Sequence, residues 1–426
     1  MGVLKAGVSQ KEITPSVGAA LSGYIRRFGC SVGVHDPLLA NFLWAEDGNH
    51  LALLISLDVM NIGEEFAAKA RQTISQEMGL DRDSILVAAV HTHSAPGIFP
   101  FRDESQRDRD WEGRVLDKLI LGAKEARLRS KKALMEIGKD HVSVGYNRRK
   151  SGRRVDSTLS LAVFFDETKK PFCVVANYGC HPVVLKENNL LISSDYVGFF
   201  RKLLRRNLSA NITTLFFTGA AGDVDPIQRG GFPEAERLAG ILCGTAFKII
   251  KDKTKKSGGK ILAGKIDLKL PYGWTPSKAE AKKNYQDCLS DYNEALRQGD
   301  KEASRIREAF LLWAEELRQR ASGRTFPDSL ECELQCIKIG EAVFFAFPFE
   351  LFSSLSLELK RKSGLAFLFL VGYANGYFGY LPDEVSISEG GYEAEEAFKY
   401  TGLLPYSPGA GRIFLERALS LLERVK

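Results

Sequence analysis

Long apolar runs are what this chain lacks first. No stretch approaches the ~20 residues that a membrane-crossing helix needs, so no membrane insertion is expected. Cysteine is sparse: the seven residues Cys30, Cys173, Cys180, Cys243, Cys288, Cys332 and Cys336 are odd in number and contain no CxxC pair. That pattern argues against a disulfide framework and for a reduced, intracellular protein. The opening residues Met1-Gly-Val-Leu-Lys-Ala carry no apolar core and no cleavage site, so no secretory leader is read there and a cytoplasmic location is expected. Nor does one sign of charge dominate: 59 Lys and Arg stand against 53 Asp and Glu. The basic runs at Arg148-Arg149-Lys150, Arg153-Arg154 and Lys251 to Lys256 come without a recognition helix, a zinc finger or stacking aromatics, and read as solvated surface rather than a nucleic-acid face. Low-complexity segments and internal repeats are also missing from the sequence.

What is present is an ordinary globular balance, 44% hydrophobic and 26% charged over 426 residues. Short apolar runs alternate with amphipathic stretches. The expected fold is α/β: one large catalytic domain, residues 1–426, with mixed β-sheets flanked by helices. Between Pro276 and about Arg320 the composition turns rich in Ala, Lys, Glu and Arg with a helical period, broken once at Gln298-Gly299-Asp300. This predicts a helical-hairpin insertion over residues 275–323, exposed rather than core-forming.

The chemistry gathers at strand ends. The run Ser84-Ile-Leu-Val-Ala-Ala-Val reads as a buried strand that stops at His91-Thr-His93-Ser-Ala-Pro96-Gly97. Residues i and i+2 of a strand share a side, so His91 and His93 would face one site if the extended geometry persists. Four further apolar runs exit into His181, into Asp223 with Asp225, into Glu350 at the expected start of a helix, and into Tyr377 with Tyr380. Were these ends to converge, His91, His181 and Glu350 would make a two-His, one-carboxylate set suited to zinc. The spacing matches no short metal motif. Each residue also has a plainer reading: a hydrogen-bonded strand-end histidine, an acid favoured by a helix dipole, a packing tyrosine.

Taken together, these segments resemble the catalytic domain of the neutral, non-lysosomal ceramidase family. His91-Thr-His-Ser-Ala-Pro-Gly looks like that family's HTHSGPG loop, Tyr146-Asn147-Arg148 like its NR loop, and Gly179-Cys-His181-Pro like its THP segment. Gly222-Asp-Val-Asp225-Pro is similar to its GDVSPN hexapeptide and Pro348-Phe-Glu350 to its PGE. Gly376-Tyr-Phe-Gly-Tyr380, with Tyr392-Glu393 following, is similar to its DYSGY…YEG run. The resemblance implies a zinc amidohydrolase: His91, His181, Glu350 and Tyr380 would hold the metal, His93 would handle protons, and Arg148 and Tyr392 would orient substrate or meet the charge developing on the attacked carbonyl oxygen.

Two departures shape the expected substrate. The family's hexapeptide serine is Asp225 here, and an immunoglobulin-like domain does not follow the catalytic one before Lys426. The hairpin is charged, and no lipid-facing segment stands out. A small amide more polar than ceramide is therefore expected, with Asp225 reading an amine or hydroxyl on it. The alternatives are a zinc esterase, lactonase or sugar-amide deacylase on the same scaffold, or an inactive binding homologue.

Overall fold

The computed structural model describes residues 3–99, 107–150, 152–323 and 326–426. Three sheets organise it, and each is built the same way. The first runs Lys5–Glu12, Leu39–Glu46, Leu51–Leu57 and Ile85–Ala89; the second Leu134–His141, Thr158–Phe165, Pro171–Tyr178 and Thr213–Thr218; the third Ile261–Pro271, Ser329–Ile339, Ala342–Ala346 and Leu368–Val371. In every case the first three strands are antiparallel neighbours and the fourth lies parallel to the third. A helix carries each parallel crossover: Glu64–Met78, Tyr196–Asn207 and Ser353–Ser363. Two short edge strands, Lys131–Lys132 and Lys255–Ser257, extend the first and second sheets. The architecture is thus a threefold structural repeat that the sequence, read for self-similarity, does not reveal.

The parallel strands explain why the pattern reads as unbroken apolar runs. They are buried on both faces. One face of each sheet points into a shared interior that includes Leu54 and Leu86, Phe164 and Phe217, and Phe344 and Phe369. The other face lies under helices: Ile55 and Val87 pack with Phe66 and Ile74, Val174 and Phe216 with Phe200 and Leu242, and Phe345 with Leu359 and Phe414. Truncating one of the central rings, such as the fully buried Phe344, would cost about 3–5 kcal/mol in lost burial and cavity formation.

Topology also decides where the long loops go. Strands one, three and four of each unit end at the same edge. The connections at the opposite edge are tight, residues 47–50, 166–170 and 340–341. Those at the common edge are long, residues 13–38, 142–157 and 272–328. The helical hairpin occupies the third of these, as Lys278–Gln298 and Lys301–Gly323, with Gly299 in the left-handed region between them. Much of it is solvent-exposed, as expected. However, Ala281, Trp313, Ala314 and Leu317 form a small core of their own with Leu404, and Phe310 packs on Tyr400. The composition hides this face because only one residue per turn contributes to it.

Glu350 differs from expectation. It does not open a helix but pairs in a two-residue strand, Glu350–Leu351, with Tyr380–Leu381. Its amide donates to the Gly379 carbonyl at 2.9 Å, and the helix begins only at Ser353. A dipole-stabilised first-turn carboxylate is therefore not its role. No helix among the described residues is long and apolar enough to cross a membrane, and all seven cysteines are unpaired.

Candidate active site

The strand Ile85–Ala89 ends two residues before His91, whose φ of 73° lies in the left-handed region. Tyr373 (φ 55°) and Asn375 (φ 57°) break the strand Leu368–Val371 in the same manner. Such backbone costs on the order of 1–3 kcal/mol per residue and concentrates at functional sites. Its consequence is that strict alternation fails after Ala89. His91 and His93 nonetheless share a site, because the turn at His91 brings their Nε2 atoms to 3.3 Å.

Around them, ligand-type atoms from all three units converge. His181, beyond the strand Pro171–Tyr178, places its Nε2 2.8 Å from Glu350 Oε2. The same oxygen is 3.4 Å from His91 Nε2. The His91, His93 and His181 ligand atoms lie within 4.8 Å of one another. His91 and His181 are 0% and 1% exposed, Glu350 1% and His93 8%.

The tautomers test whether a cation fits. His91 Nδ1 is 2.7 Å from the Met60 carbonyl, which can only accept, so Nδ1 carries the proton. In neutral His91 the Nε2 lone pair then faces the Glu350 carboxylate, acceptor against acceptor. A cation between them, or a proton, resolves the conflict. The carbonyl-held imidazole is also the usual outer support of a metal-ligating histidine. Burial pushes the Glu350 carboxyl up, but His91 and His181 more than offset this and hold it well below the ordinary carboxylate range. Glu350 is thus ionised. Its Oε1 accepts from the Tyr377 hydroxyl. Two imidazole nitrogens and a carboxylate oxygen match the donor set of a catalytic zinc site.

His93 is arranged differently. Its pKa is held well below the ordinary value, first by burial and then by His91 and His181, so it is neutral near pH 7. Its Nδ1 has no hydrogen-bond partner. Gly23 (φ +99°) abuts it so closely that a Cβ there would come within 2.3 Å of that atom. The Tyr24 ring stands edge-on at 4.8 Å.

Tyr380, the strand neighbour of Glu350, hydrogen-bonds Arg148, whose guanidinium carbon lies 5.4 Å from the phenol ring centre. Tyr392 meets Tyr380 at 5.9 Å, ring to ring. Arg148 is held by Glu393 through Nε at 2.9 Å and by Asp225 through Nη1 at 3.3 Å. Asp225 pairs with Arg229 as well, at 3.7 Å. Asp223 is structural. It accepts from the Asn147 amide and from both the backbone and hydroxyl of Ser353. It thereby ties the Arg148 loop to the helix that follows Glu350.

A cavity of about 970 Å³ opens over this cluster. His93, Glu350, Tyr377, Tyr380 and Tyr392 lie in its wall, while residues 20–30 and the helix Lys301–Gly323 build the sides. Neither Arg148 nor Asp225 is among the lining residues; both stand behind Tyr380.

Known proteins bear on this geometry. No family model matches the chain. Neutral ceramidase of Drosophila melanogaster is 24% identical over 256 residues, covering 52% of this chain and 36% of that protein. Neutral ceramidase of Drosophila pseudoobscura pseudoobscura matches to the same extent. The match thus spans about a third of the curated relatives' length. The crystal structure of neutral ceramidase from Pseudomonas aeruginosa superposes with a TM-score of 0.76 at 16% identity, covering 100% of this chain and 75% of that one. This chain has the neutral ceramidase fold. A structure described as ceramidase complexed with C2 gives the same TM-score at 15% identity, with 100% and 76% coverage. The resemblance seen in the sequence thus extends, as a likeness of fold, over the full length of this chain.

The residues singled out from the sequence, His91, His93, His181, Glu350, Tyr380, Arg148 and Tyr392, lie in one neighbourhood, with Asp225 behind Arg148. Sequence reading placed Tyr377 with Tyr380 among the strand-end candidates without giving it a specific role, and assigned none to Glu393, Met60 or the Gly23–Arg27 segment. Tyr377 sits in the same motif as Tyr380 and Glu393 follows Tyr392, so proximity was a usable signal for both. Met60 acts through its backbone, and nothing in its side chain reports that.

Proposed function

We propose that the chain is a zinc-dependent hydrolase of N-acyl amides. The observation that carries this reading is the meeting of His91 Nε2, His181 Nε2 and Glu350 Oε2 beneath a cavity. His91, His181 and Glu350 would hold the ion, with the Tyr380 phenol from the adjoining strand as fourth donor. A bound zinc ion supplies a water of pKa about 7 and polarises a carbonyl.

The chain's own groups do the rest. His93 is neutral and buried at the cavity wall. It takes the water's proton and returns it to the leaving amine, work worth roughly 10²–10⁴-fold. The Arg148 guanidinium, charged and fixed by Glu393 and Asp225, faces Tyr380 and meets the negative charge that develops on the acyl oxygen. Tyr392, which stands against Tyr380 at the mouth, positions the acyl group. Asp225 acts on Arg148 rather than as a nucleophile, since its carboxylate is engaged by two guanidinium groups.

Elemental analysis with a hydrolysis assay on a panel of N-acyl amides tests this. Stoichiometric zinc and amide cleavage that a chelator abolishes are expected. Full turnover in the metal-stripped protein would overturn the proposal.

A further inference from the structure

His93 is held in an unusual way for a group that moves protons. A catalytic base is normally oriented by a third group bonded to its far nitrogen. The Nδ1 of His93 is buried without a hydrogen-bond partner among the described residues, while its Nε2 faces His91. Rings set its orientation instead: Tyr24 at 4.8 Å, His91 at 5.0 Å and His181 at 5.9 Å, all edge-on. Of these three, Tyr24 alone is not a proposed metal ligand. It belongs to the 13–38 loop, whose Gly23 covers the Nδ1 edge.

Tyr24 is fixed from its far end. Its hydroxyl donates to the Leu185 carbonyl at 3.0 Å and accepts from Arg229 Nη2 at 2.9 Å. Burial pushes the phenol pKa up, so the group stays neutral and keeps the proton it donates. The Arg27 guanidinium, bonded to the carbonyls of Leu21, Ser22 and Glu187, lies 4.9 Å from the ring centre, and that of Arg229 lies 5.9 Å from it.

Arg229 uses every nitrogen of its guanidinium. Besides the Tyr24 bond, Nε donates to the Val183 carbonyl at 2.9 Å, and Nη1 lies 3.7 Å from Asp225 Oδ2. The Val183 amide donates to the His181 carbonyl at 2.9 Å. Asp225 Oδ1 accepts from Arg148 Nη1 at 3.3 Å. The backbone beside Arg229 is pinned as well, since the Gly230 amide donates to the Val184 carbonyl at 2.8 Å. One planar cation thus joins the loop that covers His93, the loop that carries His181 and the carboxylate that steadies Arg148. A serine at 225 would have no carboxylate to span two guanidinium groups. The arrangement therefore depends on the residue by which this chain departs from the resembling family.

We infer that Arg229 is a positioning residue for both halves of the site: it holds Tyr24 against His93 and, through Asp225, keeps Arg148 aligned. This rests on the amide-hydrolase reading and extends it. Arg229 is not among the residues that line the cavity, so it acts through its neighbours. Three directed contacts in one plane need a guanidinium, and an ammonium cannot reproduce them. A misplacement of about 1 Å in a catalytic group can cost on the order of 10²-fold.

The test uses zinc-loaded wild type, Arg229→Met, Arg229→Lys, Tyr24→Phe and the double variant Tyr24→Phe/Arg229→Met, on the amide that wild type cleaves fastest. Rates are normalised to bound zinc, so unfolded protein does not count. Arg229→Met should keep zinc and KM while kcat falls by roughly tenfold to a hundredfold, and Arg229→Lys should recover only part of this. Because Arg229 reaches His93 through the Tyr24 hydroxyl, Tyr24→Phe should lower kcat too, and the double variant should be no slower than Arg229→Met alone. Unchanged kcat in Arg229→Met, full recovery by lysine, or losses that multiply in the double variant would overturn the proposal. Isotope-labelled histidine gives a readout that needs no turnover. The His93 ring signals, assigned by their loss in His93→Ala, should shift or broaden in both Arg229→Met and Tyr24→Phe. Failure of wild type to cleave any amide would remove the hydrolase reading alone, whereas unchanged His93 signals in Arg229→Met would overturn the positioning role in either case.

Discussion

Glu350 and His181 come from different structural repeats, 169 residues apart, and meet with Oε2 and Nε2 separated by 2.8 Å inside a region where both are 1% exposed. Bringing an ionised carboxylate and an imidazole out of water is expensive unless partners repay it. Here the same oxygen also faces His91 and the other oxygen accepts from Tyr377. The pair is part of a cluster in which ligand-type atoms from three repeats converge.

His91 and His93 should therefore behave differently despite their adjacency. His91→Ala is expected to lose both zinc, measured by elemental analysis, and activity. His93→Ala should keep its metal while turnover falls by roughly 10²–10⁴-fold. Equal metal loss in both would count against the division of roles.

Tyr377→Phe removes the hydroxyl that donates to Glu350 Oε1 and keeps the ring. Outer partners of metal ligands are typically worth about 10–100-fold in metal affinity. A competition titration with a chromophoric chelator should show zinc held more weakly by that order. Unchanged affinity would make the contact incidental.

Gly23→Ala should impair turnover without unfolding the protein. The new Cβ would sit 2.3 Å from His93 Nδ1, on a backbone with φ +99° that favours glycine. Loss in kcat with retained zinc is the expected pattern, checked by steady-state kinetics beside elemental analysis.

Asp225→Ser restores the residue type found at this place in the resembling family. If Asp225 steadies Arg148, serine should lower kcat/KM for every substrate alike, by less than removing Arg148 does, because Glu393 still holds the guanidinium. A change confined to amine-bearing or hydroxyl-bearing substrates would instead return Asp225 to substrate recognition.

Away from the site, Arg71, 2% exposed, pairs with Glu333 on the third sheet. Burial raises the Glu333 pKa, but Arg71 and Lys265 outweigh it, so the folded-state value is lowered from 4.5. Its stabilising effect is then fully present above about pH 4.5 and fades as pH falls through the folded pKa. Arg71→Met should cost about 3 kcal/mol near neutrality. The gap in urea midpoint between the two proteins should narrow as the buffer is taken below pH 4.5.

Much of the site could be read from residue order. Apolar runs with β-branched residues must be buried strands, and the residues just past them, His91, His181, Glu350 and Tyr380, must sit at strand ends. That logic is local: burial and periodicity dictate it whatever the rest of the chain does. It extends to the Gly299 break in the hairpin, because turn chemistry acts within a few residues. The error at Glu350 arose where local logic stops, since its two-residue strand exists only because Tyr380 lies alongside.

What the sequence by itself determined is the inventory: which elements form, which side chains stand at their ends, and that these suit zinc and proton chemistry. The tertiary structure decided the rest. It repeated one four-strand unit three times without repeating its sequence, because a shared interior demands only volume and apolarity and not identity. It turned the ends of all three units to one edge and converted the 13–38 loop and the charged hairpin into cavity walls. It also left Arg27 buried without a carboxylate partner among the described residues, a relation between distant groups that no pattern along the chain encodes.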